Sequence, residues 1–158
     1  MERMKLARFV VGLAALLALT LAAPASAACR VGKAGETQPV AIGKTGRTLL
    51  LHRPAESTDG PLPLVLLFHG SGGSARGILR TSSLEPAADR HGFILAAADA
   101  GIRAQDGFAW NVPGVPTVTG HIPTKDDPDD VAFVLTAIDW LAAHGCADPA
   151  LREAEIGK

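Results

Sequence analysis

The chain has 158 residues, with 15 Lys and Arg against 16 Asp and Glu and an aromatic content of only 4%. No basic run, heptad, internal repeat or low-complexity segment is present, which argues against nucleic-acid binding, coiled coils and repeat architectures and leaves one small domain.

Arg3, Lys5 and Arg8 precede an apolar run from Phe9 to Ala23, followed by Pro24 and the small triplet Ala25-Ser26-Ala27. This pattern predicts a secretory signal peptide over residues 1–27, because the run is too short for a comfortable bilayer span and small residues suit signal peptidase. The mature part, residues 28–158, then carries 12 basic and 15 acidic residues. A secreted or periplasmic location follows, with no stable membrane insertion after cleavage and no nucleic-acid partner. Lipidation at Cys29 is a minor alternative, since Ser26 stands where a lipobox has an aliphatic residue. Cys29 and Cys146 are the two cysteines, and in an oxidising compartment they either form one disulfide or stay as two thiols.

Residues 40–53 read as an extended hairpin centred on Thr48-Leu49-Leu50-Leu51, turning between Gly43 and Gly46 and ended by Pro54. Leu64-Val65-Leu66-Leu67-Phe68 is apolar without alternation, as a strand buried on both faces requires, and such burial predicts a central place in the sheet. It runs into His69-Gly70-Ser71-Gly72-Gly73-Ser74, then a helix over 76–90 capped by Gly92, then a second buried strand from Phe93 to Ala98. Together these make a right-handed βαβ unit. Residues 100–127 show little periodicity and predict a long connection forming the wall of a binding site. From Pro128 the pattern is helical, with Val131, Val134, Leu135, Ile138, Leu141 and Ala142 as the apolar stripe and Trp140 off it. Asp127, Asp129 and Asp130 suit the positive end of that helix. Leu151 to Lys158 make no convincing buried strand.

The glycine loop is the main candidate for chemistry, because glycines let backbone N–H groups face an open space at the end of a strand, where they stabilise an oxyanion. A glycine turn from strand to helix is also ordinary architecture. Gly70-x-Gly72-x-x-Ala75, with Asp99 closing the next strand, also satisfies the loose dinucleotide fingerprint, though export argues against a nicotinamide cofactor. The carboxylates Asp126, Asp127, Asp129 and Asp130 fail the EF-hand spacing, and His52, His91, His121 and His144 form no zinc-type cluster, so surface or capping roles are expected and no metal or cofactor.

The Leu64–Gly70 strand and loop, the segment Ala87-Ala88-Asp89-Arg90-His91-Gly92-Phe93, Trp110-Asn111, and Asp129-Asp130-Val131 opening a helix that ends near Asp148-Pro149 together resemble secreted polyhydroxybutyrate depolymerases and feruloyl or acetylxylan esterases of the α/β-hydrolase group. The resemblance covers most of the mature chain. It implies an α/β fold comprising part of a hydrolase sheet: an N-terminal hairpin, a βαβ unit and a following helix. It also implies a carboxylic-ester hydrolase acting on ester-bearing polymers or small esters, with Gly70, Ser71 and Gly72 as oxyanion hole and His69, Trp110 and Asn111 on the substrate side.

The departure from that pattern is equally specific. A strand leading into Gly-x-Ser-x-Gly should follow, with a triad acid and histidine further on, and none is present. Ser71 and Ser74 lack the flanking glycines of a nucleophile elbow, and a triad of Ser71, His121 and Asp99 would put the nucleophile inside its own oxyanion loop. The expectation is therefore a truncated hydrolase domain with no catalytic triad, inactive by itself, whose missing neighbour leaves the Leu64–Phe68 strand at an edge. A non-catalytic extracytoplasmic polymer-binding module is the alternative.

Overall fold

The computed structural model describes residues 29–56 and 60–148. The signal peptide expected at 1–27 and the tail after Asp148 lie outside these residues. A four-stranded sheet is formed by β1 (Thr37–Ala41), β2 (Thr48–His52), β3 (Leu64–Leu67) and β4 (Ile94–Ala98), in the order β1-β2-β4-β3. β1 and β2 form the antiparallel hairpin expected around Gly43–Gly46, β2 pairs antiparallel with β4, and β3 runs parallel to β4. The chain is thus a mixed α/β protein.

β4 is the central strand, and its alternate side chains build two cores. Ile94, Ala96 and Ala98 face Leu49 and Leu51 of β2 and Phe133, Ala137 and Leu141 of helix α3 (Asp130–Ala143). Leu95 and Ala97 face Ala75 and Leu79 of α1 (Ala75–Ser82) and Ala88 of α2 (Glu85–His91). With helices over both faces every residue of β4 is buried, which is why its sequence is a continuous apolar run. Full burial of Ile94 and Leu95 contributes about 1.5–3 kcal/mol each.

Several expectations need correction. The strand at Leu64 is not central, as its apolar run suggested, but lies at an edge, as the missing following strand implied; β3 is half-buried along its length, and Phe68 after it is 51% exposed. Its apolar character reflects coverage of its two faces, which says nothing about whether its outer edge has a neighbour. The helix expected over 76–90 is two helices, broken where Ser83 takes a left-handed φ of 52°. Pro86 has no N–H to continue the first helix, but in the opening turn of α2 that loss costs nothing. Gly92 does cap α2 in the left-handed conformation. The long connection contains a hairpin, β5 (Ile102–Ala104) and β6 (Gly107–Ala109), turning at Gln105 with φ 54°. Finally, α3 buries Asp130, Phe133, Ala137 and Leu141, leaving Val131 66% exposed and Leu135 at the surface.

The two ends of the described chain are tied beside β3. A disulfide joins Cys29 to Cys146. Leu62 donates its N–H to the Cys146 carbonyl at 3.1 Å and accepts from the Asp148 N–H at 3.3 Å, a parallel bridge just before β3.

Candidate active site

The segment leaving β3 is held on three sides. His69 is 4% exposed, and the Ala100 N–H donates to its Nε2 at 3.1 Å. An amide can only donate, so Nε2 carries no proton and Nδ1 carries the ring hydrogen. Nδ1 is 2.8 Å from the Gly70 carbonyl and donates to it. The same carbonyl accepts from the Gly73 N–H at 2.9 Å. Trp110, at the end of β6, donates its indole N–H to the His69 carbonyl at 2.8 Å and meets Phe68 edge to face at 5.1 Å between ring centres.

The β5–β6 hairpin grips the far side of the loop. Gly72 donates its N–H to the Phe108 carbonyl at 2.8 Å, and Phe108 donates back to the Gly73 carbonyl at 2.9 Å. Gly107 lies so close that a Cβ would sit 2.2 Å from the Gly73 oxygen and 2.4 Å from the Gly72 oxygen. Ser71 Oγ accepts from the Val118 N–H at 2.8 Å, which draws the 112–122 segment over the loop.

This arrangement divides the expected oxyanion residues. The Gly72 N–H is engaged with Phe108, whereas the N–H groups of Gly70 and Ser71 meet no acceptor among the described residues. Both residues are exposed and line a cleft of about 210 Å³ with Trp110, Val112, Val115 and Pro116. Among the described residues, the cleft walls carry no carboxylate, ammonium or guanidinium. Val112 and Val115 are exposed at its rim, and no Asp, Glu, Lys or Arg occurs from Gly107 to Gly120.

Of the residues expected on the substrate side, His69 and Trp110 line the cleft and all three are also bonded within the protein. His69 contributes to the cleft, but both ring nitrogens are bonded within the protein. The Asn111 side-chain N–H₂ reaches the carbonyls of Thr124 and Pro128, each at 3.2 Å. Asn111 therefore fixes the loop ahead of α3 instead of facing the cleft. Trp110 lines the cleft and clamps the loop at once.

Sequence reasoning missed Arg47. Its guanidinium lies 2.8 Å from the Asp130 carboxylate, donates to the Asp99 carbonyl at 2.6 Å and covers the Phe133 ring at 3.8 Å. Asp130, 4% exposed, also accepts from the N–H groups of Gly101 and Asn111, at 2.9 and 2.8 Å. One carboxylate thus joins the start of α3, the end of β2's hairpin turn and the segment carrying Trp110. A pair between the half-buried Arg47 and the buried Asp130 has no short-range signature in sequence, because its partners are far apart along the chain.

Several other acids and histidines are held in hydrogen bonds and ion pairs within the protein. Asp99 accepts from the Ala75 N–H at 2.6 Å, capping α1 where a dinucleotide's pyrophosphate would need that amide, so the geometry argues against the nucleotide alternative. His121 pairs with Asp127 at 3.0 Å, and the Ser71 hydroxyl oxygen accepts from the Val118 N–H. The backbone N–H of Thr124 and then His121 hold the Asp127 carboxyl below its ordinary pKa. Asp129 caps α3 through the Ala132 N–H. His52 corrects the expectation of a surface role: it is buried and spans Thr37 Oγ1 at 2.9 Å and Asp89 at 3.1 Å. Among the described residues no group of three or more His, Cys, Asp or Glu could hold a metal ion, and no helix is long and apolar enough to cross a membrane.

No protein-family model matches the chain. Over 88 residues it is 36% identical to "Putative esterase NocK" of Nocardia uniformis subsp. tsuyamanensis, an alignment covering 55% of this chain and 23% of that protein. The likeness is to a protein named as an esterase. It does not distinguish polyhydroxybutyrate depolymerases or feruloyl esterases from other esterases, and the matched part is under a quarter of that relative's length.

Proposed function

We propose that this chain carries the oxyanion side of a carboxylic-ester hydrolase site. The observation that carries the reading is the pair of adjacent N–H groups on Gly70 and Ser71, without acceptors among the described residues, at the end of a parallel strand and beside an uncharged apolar cleft. Two such donors suit the charged oxygen of a tetrahedral intermediate, and a single donor is worth about 3 kcal/mol of transition-state stabilisation. The partial identity to an esterase supports the same reaction class. So does the edge position of β3, where the resemblance to α/β-hydrolases puts the next strand of the sheet.

Within this reading the protein acts outside the cytoplasm on uncharged esters, polymer-linked or small, of the kind taken by polyhydroxybutyrate depolymerases and feruloyl esterases. A disulfide suits an oxidising compartment. The sequence contains no Gly-x-Ser-x-Gly, so the chain by itself should release no p-nitrophenol from p-nitrophenyl butyrate above the buffer rate. Turnover blocked by a serine reagent would place a nucleophile within these residues and overturn this division of the site. Reading the nucleotide sequence beyond the Lys158 codon gives an independent check: a strand followed by Gly-x-Ser-x-Gly in any frame supports ester hydrolysis.

A second reading, a non-catalytic polymer-binding module, is favoured by one observation, the uncharged run from Gly107 to Gly120 with Val112, Val115 and Val118 exposed around the cleft. Retention on xylan or polyhydroxybutyrate by a protein with no coding capacity for an elbow would select it.

A further inference from the structure

The geometry points to His69 and Trp110 as positioning residues that set the two oxyanion donors by gripping the carbonyl of the peptide each donor belongs to. The inference rests on reading Gly70 and Ser71 as the oxyanion site. In a trans peptide the carbonyl and the following N–H point in opposite directions across a rigid plane, and the described chain has no cis peptide bond. Fixing one carbonyl therefore aims one N–H.

The Gly70 carbonyl is fixed twice, by His69 Nδ1–H at 2.8 Å and the Gly73 N–H at 2.9 Å. It is turned inward onto a buried ring, so the Ser71 N–H is turned outward at an exposed residue that lines the cleft. The His69 carbonyl is fixed by the Trp110 indole N–H at 2.8 Å, which directs the Gly70 N–H away from the indole nitrogen. The His69 ring is itself held in the required tautomer by the Ala100 N–H at the end of β4. Trp110 is braced against Phe68 and tilted over the His69 ring at 5.2 Å. Without these grips, a loop containing three glycines could rotate its peptide planes freely. The sequence supplies donors whose orientation comes from two aromatic side chains, one immediately before the loop and one on the hairpin that covers it.

The test uses the whole chain and butyrate, whose carboxylate offers the donors an anionic oxygen and whose tail suits the cleft. Butyrate is titrated against ¹⁵N-labelled protein while the amide resonances of Gly70 and Ser71 are followed. In the unaltered chain both amides should shift saturably. Trp110→Phe keeps a ring against Phe68 but removes the indole N–H, and it should weaken butyrate binding by about fivefold, the effect of one ordinary hydrogen bond. The free-state Gly70 amide should move with it, while β1 and β2 resonances stay in place. His69→Phe should act in the same direction on Ser71, and His69→Asn, which returns an N–H donor, should recover part of the affinity. A lack of saturable shift at Gly70 and Ser71 in the unaltered chain overturns both this inference and the oxyanion reading. Undiminished binding by folded Trp110→Phe overturns the inference alone, even if a His69 variant fails to fold.

Discussion

Asp130 illustrates how a buried charge can hold an irregular segment in place. Its two oxygens take the Arg47 guanidinium and two backbone N–H groups from separate stretches. Asp130→Ala leaves Arg47 without its counter-ion and two amides without acceptors, and should destabilise the fold by about 3–5 kcal/mol in urea denaturation. Asp130→Asn keeps the shape and an acceptor oxygen, so it should cost less. Gly107 is the steric counterpart. The atoms that a side chain at 107 would strike are backbone oxygens of Gly72 and Gly73, which cannot swing aside. Gly107→Ala should lower stability by about 1–3 kcal/mol and separate the hairpin from the loop, seen as faster hydrogen exchange at the Gly72 and Phe108 amides.

At the scale of elements, the segments carried by local chemistry were legible and those carried by distant partners were not. The β1–β2 hairpin announced itself through Gly43 and Gly46, and the cap of α2 through Gly92. The rotation of α3 could not be read from its own residues. A stripe through Val131 and Leu135 is as apolar as the observed one, but Asp130 pulls the helix round so that positions 130, 133, 137 and 141 face inward. β5 and β6 leave no pattern in the sequence, because three-residue strands are too short to show alternation; their turn is Gln105-Asp106, with Gly107 already paired in β6. In the candidate site the glycine loop itself is legible in the sequence, whereas the engagement of Gly72 and Asn111 depends on Phe108 and the carbonyls before α3, which no spacing rule reveals. The junction of α2 with β2 carries a pH dependence. Asp89 accepts from the Ala55 N–H at 2.8 Å, the main reason its carboxyl lies below the ordinary value, and His52 adds to the effect. A carboxyl with a lower pKa when folded stabilises the fold above its unfolded value of 3.8, and that contribution is lost as the pH falls through the folded value. Stability should therefore fall as the pH drops below about 4, and more steeply for the unaltered chain than for Asp89→Asn.

For the molecule as a whole, the decisive feature among the described residues is a small sheet with helices on both faces and with β1 and β3 at its two edges. The apolar residues of β3 are packed on either side, by Leu64 and Leu66 into one core and by Val65 and Leu67 into the other, while the edge remains without a neighbouring strand among the described residues. Unprotected edges of this kind promote association between chains. The Cys29–Cys146 disulfide opposes opening at this side of the molecule. Its reduction, or the double replacement of both cysteines by serine, should lower stability by about 5 kcal/mol in the chain-entropy model, measured as a shift in the urea midpoint. The same bond has a topological result. With 117 residues of separation between its cysteines, it makes most of the described polypeptide a covalent ring. A single protease cut inside that ring opens it without releasing a piece, so a nicked molecule migrates as one chain on a denaturing gel until a thiol is added, and only then falls into two.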